Sequence, residues 1–258
     1  MKILITNDDG IHAEGLRVLA DTLKDEHEVY IAAPAFQCSA FSHSVTYFRK
    51  RNKAQKAMIE GVKEAWAIEG TPSDCVFYAV CGLFDVSFDA VISGINDGRN
   101  MATDIIYSGT VGAAGEGMLC GIPSIAVSLC GKSRTHYKTA AEAVKTILPH
   151  FLADSGNRSY ILNINVPDLP KEEIKGFKAA VMDLPEDYKR PITIERLNDG
   201  TCTLSMDLNL EHKKREISVP DGDVSAVRDG YIAMTPLMYD MVRYGVMNRL
   251  KKIEEIPF

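Results

Sequence analysis

Lys2-Ile3-Leu4-Ile5-Thr6-Asn7-Asp8-Asp9-Gly10 is the stretch whose reading decides the fold. Ile3, Leu4 and Ile5 make a short continuous apolar run, the pattern of a strand buried on both faces of a sheet. Asn7 to Gly10 are turn residues that end it. In an open α/β sheet, ligands bind in the crevice beyond the carboxyl ends of the strands. Asp8 and Asp9 therefore fall where chemistry is expected. Two carboxylates in such a place repel unless a positive charge sits between them. A hard cation such as Mg²⁺, Mn²⁺ or Ca²⁺ meets that demand with oxygen ligands. An Asx-type turn in which one Asp caps the next helix uses the same residues. The segment by itself leaves both readings open.

Outward from this stretch, strand and helix patterns alternate. Ala13, Leu16, Leu19, Ala20 and Leu23 fall at helical spacing, and Glu28–Ala33 is a strand stopped by Pro34. Residues 35–44 read as a loop, Val45–Phe48 as a short strand, and Arg49–Lys56 as a solvated connection. Glu64–Glu69 is extended. A helix follows it, with Thr71 as N-cap and Pro72 as first residue, running to about Leu83. Asp89–Ser93 is the next strand, followed by a turn from Gly94 to Asn100. Val111–Cys120 is a small-residue helix capped by Gly121, and Ser124–Ser128 a strand. A helix over 136–152 and a strand over Tyr160–Val166 complete the alternation. Helices between strands on this scale imply a parallel sheet. Past residue 180 the pattern changes. Ile192–Leu197 and Thr201–Leu208 alternate about Asn198-Asp199-Gly200, a hairpin signal. Tyr231–Thr235 is a late strand and Tyr239–Ile253 a terminal helix.

Bulk properties narrow the function. The chain has 258 residues, 46% hydrophobic and 25% charged, enough for one large domain with a substantial core. A net charge of −6 disfavours a nucleic-acid-binding face. An acidic protein that takes phosphate esters needs a cation or backbone amides to receive the anion. The six cysteines form no CxxC pair and read as reduced, mostly buried thiols of a cytoplasmic protein. The first apolar run is too short for a secretory signal, and no run approaches the length of a membrane span.

Three oxygen-rich turns follow strong strands: Asn7–Gly10, the loop after Pro34 with Ser39, Ser42, His43 and Ser44, and Ser93–Asn100. In a parallel sheet they share one edge and can converge into an incomplete oxygen shell, as a catalytic Mg²⁺-type site requires. Ser108-Gly109-Thr110 opens a helix whose first amides lack intrahelical partners and suit an anion. Simple N-capping by Ser108 or Thr110 is the plainer reading of that segment. Thr71 and Asp74 read as capping. There is no G-x-G-x-x-G after the first strand, no Walker A sequence and no G-x-S-x-G elbow.

NDDG after a first strand, GTPSDC at 70–75, SGIN with Gly98 and Asn100, YSGTV, LNINVPDLP at 162–170 and DGYIAMTP together resemble the SurE survival-protein family. Its members are metal-dependent nucleoside monophosphate phosphatases, and the resemblance spans essentially the whole chain. It implies a Rossmann-like α/β core over residues 1–180. A C-terminal extension over 181–258, with a β-hairpin, a returning strand and a helix, would build a homodimer or homotetramer. It implies one divalent cation per subunit, Mg²⁺ or Mn²⁺, held by Asp8, Asp9, Ser39 and Asn96. Ser39, Asn96, Ser108, Gly109 and Thr110 would face the substrate phosphate. The chain departs from the family pattern at Ala35–Cys38, where charged and polar residues are usual. It departs again at Ala40, where glycine is usual, and at His43, where asparagine is usual.

The expected activity is 5′/3′-nucleotidase hydrolysis, by direct attack of water in preference to an aspartyl-phosphate route, with Asp9, or else Asp8, as general base and His43 protonating the leaving alkoxide. Two other readings are a metal-binding nucleotide-recognition protein with weak or no turnover, and a serine hydrolase using Ser39 or Ser42 with His43. No membrane and no nucleic-acid duplex is expected as a partner.

Overall fold

A computed structural model describes residues 1–184, 192–206 and 219–251. The chain opens with β1 (Lys2–Thr6), α1 (Glu14–Leu23), β2 (Glu28–Pro34), β3 (Ala54–Lys56) and β4 (Glu64–Ile68). Helix α2 (Pro72–Tyr78) runs on through a π-type turn at Ala79–Leu83 to β5 (Ala90–Asp97). Then come α3 (Asp104–Tyr107), α4 (Gly109–Leu119), β6 (Ser124–Cys130), α5 (Tyr137–Ala153) and β7 (Ile161–Pro167). The last part holds β8 (Phe177–Ala179), β9 (Ile192–Arg196), β10 (Cys202–Met206), α6 (Asp223–Arg228), β11 (Ile232–Leu237) and α7 (Tyr244–Leu250).

Nine strands form one sheet in the order β3-β4-β2-β1-β5-β6-β7-β11-β8. β4, β2, β1, β5, β6 and β7 run parallel, whereas β3 and β11 join antiparallel to β4 and β7. The fold is thus the expected α/β class with a mostly parallel sheet. β9 and β10 form a separate hairpin pinned by Leu197 N–H donating to the Thr201 carbonyl. The returning strand β11 lies inside the main sheet, so residues beyond 180 help to complete it.

The apolar run of β1 explains the layering. Successive side chains of a strand point to opposite faces. Ile3 and Ile5 pack with Leu16, Leu19 and Leu23 of α1 and Val144 and Leu148 of α5. Leu4 faces the other way, against Cys75 and Val76 of α2 and Ala113 of α4. All three strand residues are fully buried, worth about 1.5–3 kcal/mol each. The small residues of α4 are buried too, and a Cβ on Gly117 would meet Val91 on β5 at 2.8 Å. Close packing on the sheet is therefore the reason for that composition.

Several local expectations change. Val45–Phe48 forms no strand, because the Thr46 amide and hydroxyl both donate to Asp74, at 2.8 and 2.6 Å. Asp74 itself completes a capping box with Thr71, as its position suggested. Ala54–Lys56 is not a bare connection but the edge strand paired with β4. The strand from Ala90 does not end at Ser93. It continues to Asp97, with its pairing to β6 shifted between Ser93 and Asn96. Gly94 sits at that shift with φ 142°, and a Cβ there would strike the Val127 carbonyl, so glycine is required. Cys81 and Cys202 are exposed rather than buried, and no described cysteine is in a disulfide. Residues 207–208 of the expected hairpin and 252–253 of the expected terminal helix lie outside the described residues.

Candidate functional site

β1 is the strand at which the chain changes direction across the sheet. From it the chain builds β2, β4 and β3 on one side and then returns to place β5 on the other. The crevice beyond the carboxyl ends of β1 and β5 is thus the topological switch point, where such sheets bind ligands. A cleft of about 520 Å³ occupies that position. Asp8 and Asp9 line it from the end of β1, Ser39 from the loop after β2, Asn96 from β5, and Ser108 from the start of α4. These five expected site residues are therefore brought together.

The two acids differ in environment. Asp8 is only 4% exposed, and burial pushes its pKa from 3.8 up to about 6. The Thr110 hydroxyl, which donates to Asp8 Oδ1 at 2.6 Å, opposes that rise, while the Asp9 charge adds to it. Asp9 is also raised by burial. Its carboxylate accepts the Asp97 backbone N–H at 2.9 Å and the Gln37 amide at 3.3 Å, both of which favour the charged form. Gln37 also donates to Ser39 Oγ at 3.0 Å, so one side chain spans Asp9 and Ser39. The Asn96 amide gives its nitrogen to the Gly98 carbonyl at 2.9 Å, which leaves its oxygen as the donor atom for a cation.

Two acids held above their ordinary range, a hydroxyl and an amide oxygen form an all-oxygen set that suits a hard dication. A bound cation would offset both the desolvation and the mutual repulsion of the acids. Among the described residues no group of three or more His, Cys, Asp or Glu could hold a metal, so the set here depends on the Ser39 hydroxyl and the Asn96 amide oxygen beside the two acids. Asp8, Asp9, Ser39 and Asn96 fit the expected ion.

The anion side is built by α4. Ser108 is its N-cap, its Oγ accepting the Val111 N–H at 3.0 Å. Capping uses one of the two lone pairs of the Ser108 hydroxyl and leaves its proton as a donor in the cleft wall. Gly109 lies so close to Asp8 that a Cβ there would meet the Asp8 Cβ at 2.9 Å, which fixes glycine at this helix start. Thr110 is fully buried and turns its hydroxyl to Asp8. It holds the acid and does not line the cleft.

His43 is not brought into the cleft. Its Nε2 pairs with Glu116 Oε2 of α4 at 2.7 Å, and its ring packs on Tyr239 with centroids 5.1 Å apart. Ser42 anchors the same loop, donating to the Ile106 carbonyl at 2.7 Å. This geometry clamps the loop that carries Ser39 and places the imidazole outside the cleft lining. Gln37, Asp97 and the Thr110 contact escaped the sequence reading. Only their adjacency to Ser39, Asn96 and Gly109 could have pointed to them.

Comparison with known proteins decides the lineage. The family described as "Survival protein SurE" matches residues 3–186. The chain belongs to the SurE family. Among SurE relatives, the 5′-nucleotidase SurE of Syntrophomonas wolfei subsp. wolfei is 37% identical over 98% of this chain and 94% of its own length. The 5′-nucleotidase SurE of Haemophilus influenzae (strain PittGG) is 39% identical over 100% of this chain and 99% of its own. A crystal structure of the SurE protein from Aquifex aeolicus shares the fold with a TM-score of 0.82 and 32% identity, covering 99% of this chain and 100% of that one. No helix among the described residues is long and apolar enough to cross a membrane.

Proposed function

We propose that this protein is a divalent-metal-dependent phosphomonoesterase that hydrolyses nucleoside monophosphates to nucleoside and phosphate. One observation carries the reading: a buried and a half-buried carboxylate, both raised in pKa, share a cleft with Ser39, Asn96 and the N-terminus of α4. The names of its relatives agree with it. In this reading Asp8, Asp9, Ser39 and Asn96 hold one Mg²⁺ or Mn²⁺ per subunit. When bound, the cation supplies Lewis acidity toward a phosphoryl oxygen and lowers the pKa of water.

The chain's own groups do the rest. The Gly109 N–H and the Ser108 hydroxyl donate to phosphoryl oxygens on which charge builds in the transition state, aided by the dipole of α4. Thr110 keeps Asp8 in place, and Gln37 fixes Asp9 relative to Ser39. Asp9, less buried than Asp8, is the group to take a proton from water. His43 is assigned to loop positioning, so water protonates the leaving alkoxide. The extension over 181–258, with exposed Ile192, Ile194, Leu204 and Met241, supplies contacts of a homodimer or homotetramer in the cytoplasm.

The test is phosphate release from a panel of 5′ and 3′ nucleoside monophosphates with Mg²⁺ or Mn²⁺, and again with EDTA. Release that EDTA abolishes is the expected result. Nucleotide binding without release would make the protein a recognition module, and EDTA-insensitive ester cleavage would favour serine chemistry.

A further inference from the structure

The cleft poses an electrostatic problem. Among its described lining residues, Asp8, Asp9, Asp97 and Asp104 are acidic and Arg99 is the one base. A phosphate monoester approaches as a dianion. With Asp97 already paired to Arg134, one dication still does not balance Asp8, Asp9, Asp104 and two further negative charges, so a cationic side chain beside the phosphoryl group has a clear use.

Arg99 is built for that use. Its backbone is immobilised by the next residue, Asn100, which is almost fully buried. Asn100 donates its N–H to Asn165 Oδ1 at 2.9 Å and its side-chain amide to Ser128 Oγ at 2.8 Å. Its carbonyl accepts from Asn163 and Asn165 at 2.9 and 3.0 Å. The Arg99 side chain is then oriented by Asp104 at the start of α3, with Nε donating to Oδ2 at 2.9 Å. That contact uses the inner edge of the guanidinium. The outer Nη edge is the one whose paired N–H groups match two oxygens of a phosphate. The neighbouring Arg134 is engaged differently. Its Nε pairs with Asp97 Oδ1 at 2.7 Å and its Nη1 donates to the Asp97 carbonyl at 3.2 Å. Arg134 therefore holds the loop, and Arg99 is the base left to meet an anion. Holding the backbone at Asn100 and the guanidinium at Asp104 before binding removes part of the entropy cost of fixing a long side chain.

Resting on the phosphomonoesterase reading above, we propose that Arg99, aimed by Asp104, binds the non-bridging phosphoryl oxygens of the substrate.

The experiment uses full-length protein loaded with Mn²⁺ and inorganic phosphate as the probe. Phosphate affinity is measured by calorimetry and as competitive inhibition of monophosphate hydrolysis. Arg99→Gln is expected to weaken phosphate binding about 10- to 100-fold. Mn²⁺ affinity should not fall, because removing a positive charge does not disfavour a cation. Arg99→Lys should recover part of the loss, Asp104→Asn should lose less than Arg99→Gln, and Arg158→Gln, on an exposed distant loop, should bind as wild type. Unchanged phosphate affinity in folded Arg99→Gln and Arg99→Lys overturns the assignment, even if the wild type hydrolyses its substrates well. Wild-type phosphate binding that depends on Arg99, without turnover, supports the assignment and sinks the phosphomonoesterase reading. A wild type that neither binds phosphate nor releases it ends both.

Discussion

Replacing Asp8 by asparagine should stabilise the metal-free protein while disabling its site. Asp8 is nearly fully buried, and its pKa stands at about 6 against 3.8 when unburied. The folded-state value is the higher one, so protonated Asp8 favours folding. That contribution is complete below the unfolded pKa of 3.8 and is lost as pH rises through about 6. At pH 8 the metal-free protein carries the whole cost of a buried charge, about 3 kcal/mol at about 1.36 kcal/mol for each tenfold change in acid strength. Asparagine has nearly the same shape, can still accept the Thr110 hydroxyl, and carries no charge. Urea unfolding in EDTA should therefore show Asp8→Asn more stable than wild type by up to about 3 kcal/mol at pH 8, with the gap closing toward pH 4. Added Mn²⁺ should reverse the order. A ligand at 1,000 times its Kd stabilises by about 4.1 kcal/mol, more than the gap, and the variant binds it more weakly. If apo Asp8→Asn is no more stable than wild type at pH 8, or its advantage does not depend on pH, the assigned environment of Asp8 is wrong.

Two further substitutions probe the supports of the cleft. His43→Ala leaves the largely buried Glu116 carboxylate without its partner and should cost about 1–3 kcal/mol in chemical denaturation. The pH–rate profile should keep its shape, and a lost limb at unchanged stability would return His43 to a proton-donor role. Asp168 accepts hydrogen bonds from Ser133, from the backbones of Arg134, Thr135 and His136, and from the His136 ring. Those bonds hold its carboxyl well below the usual range despite burial, so its stabilisation is present above pH 3.8 and fades as pH falls below that. Asp168→Asn should therefore lower the melting temperature at pH 7 and matter progressively less in acid. An equal loss at both ends of that range would show that packing, not charge, anchors the 133–136 loop.

The sequence by itself determined the α/β alternation, the burial of β1 on both faces, and the placing of Asp8 and Asp9 after β1, Ser39 in the loop after β2, and Ser108 at a helix start. These are local matters: a residue's neighbours in the chain set its periodicity, its turn chemistry and the end of the element it occupies. The capping box at Thr71 and Asp74 was legible for the same reason, since its two partners are three residues apart. Only the tertiary structure decided which atoms meet. Thr110 was expected to face a phosphate and instead holds Asp8, 102 residues away in the chain. His43 was expected at the chemistry and instead meets Glu116, 73 residues away. The late strand proved to be β11, hydrogen-bonded antiparallel to β7 within the main sheet. Such partners depend on how the sheet is ordered and how tightly α4 sits upon it, and no local pattern encodes either.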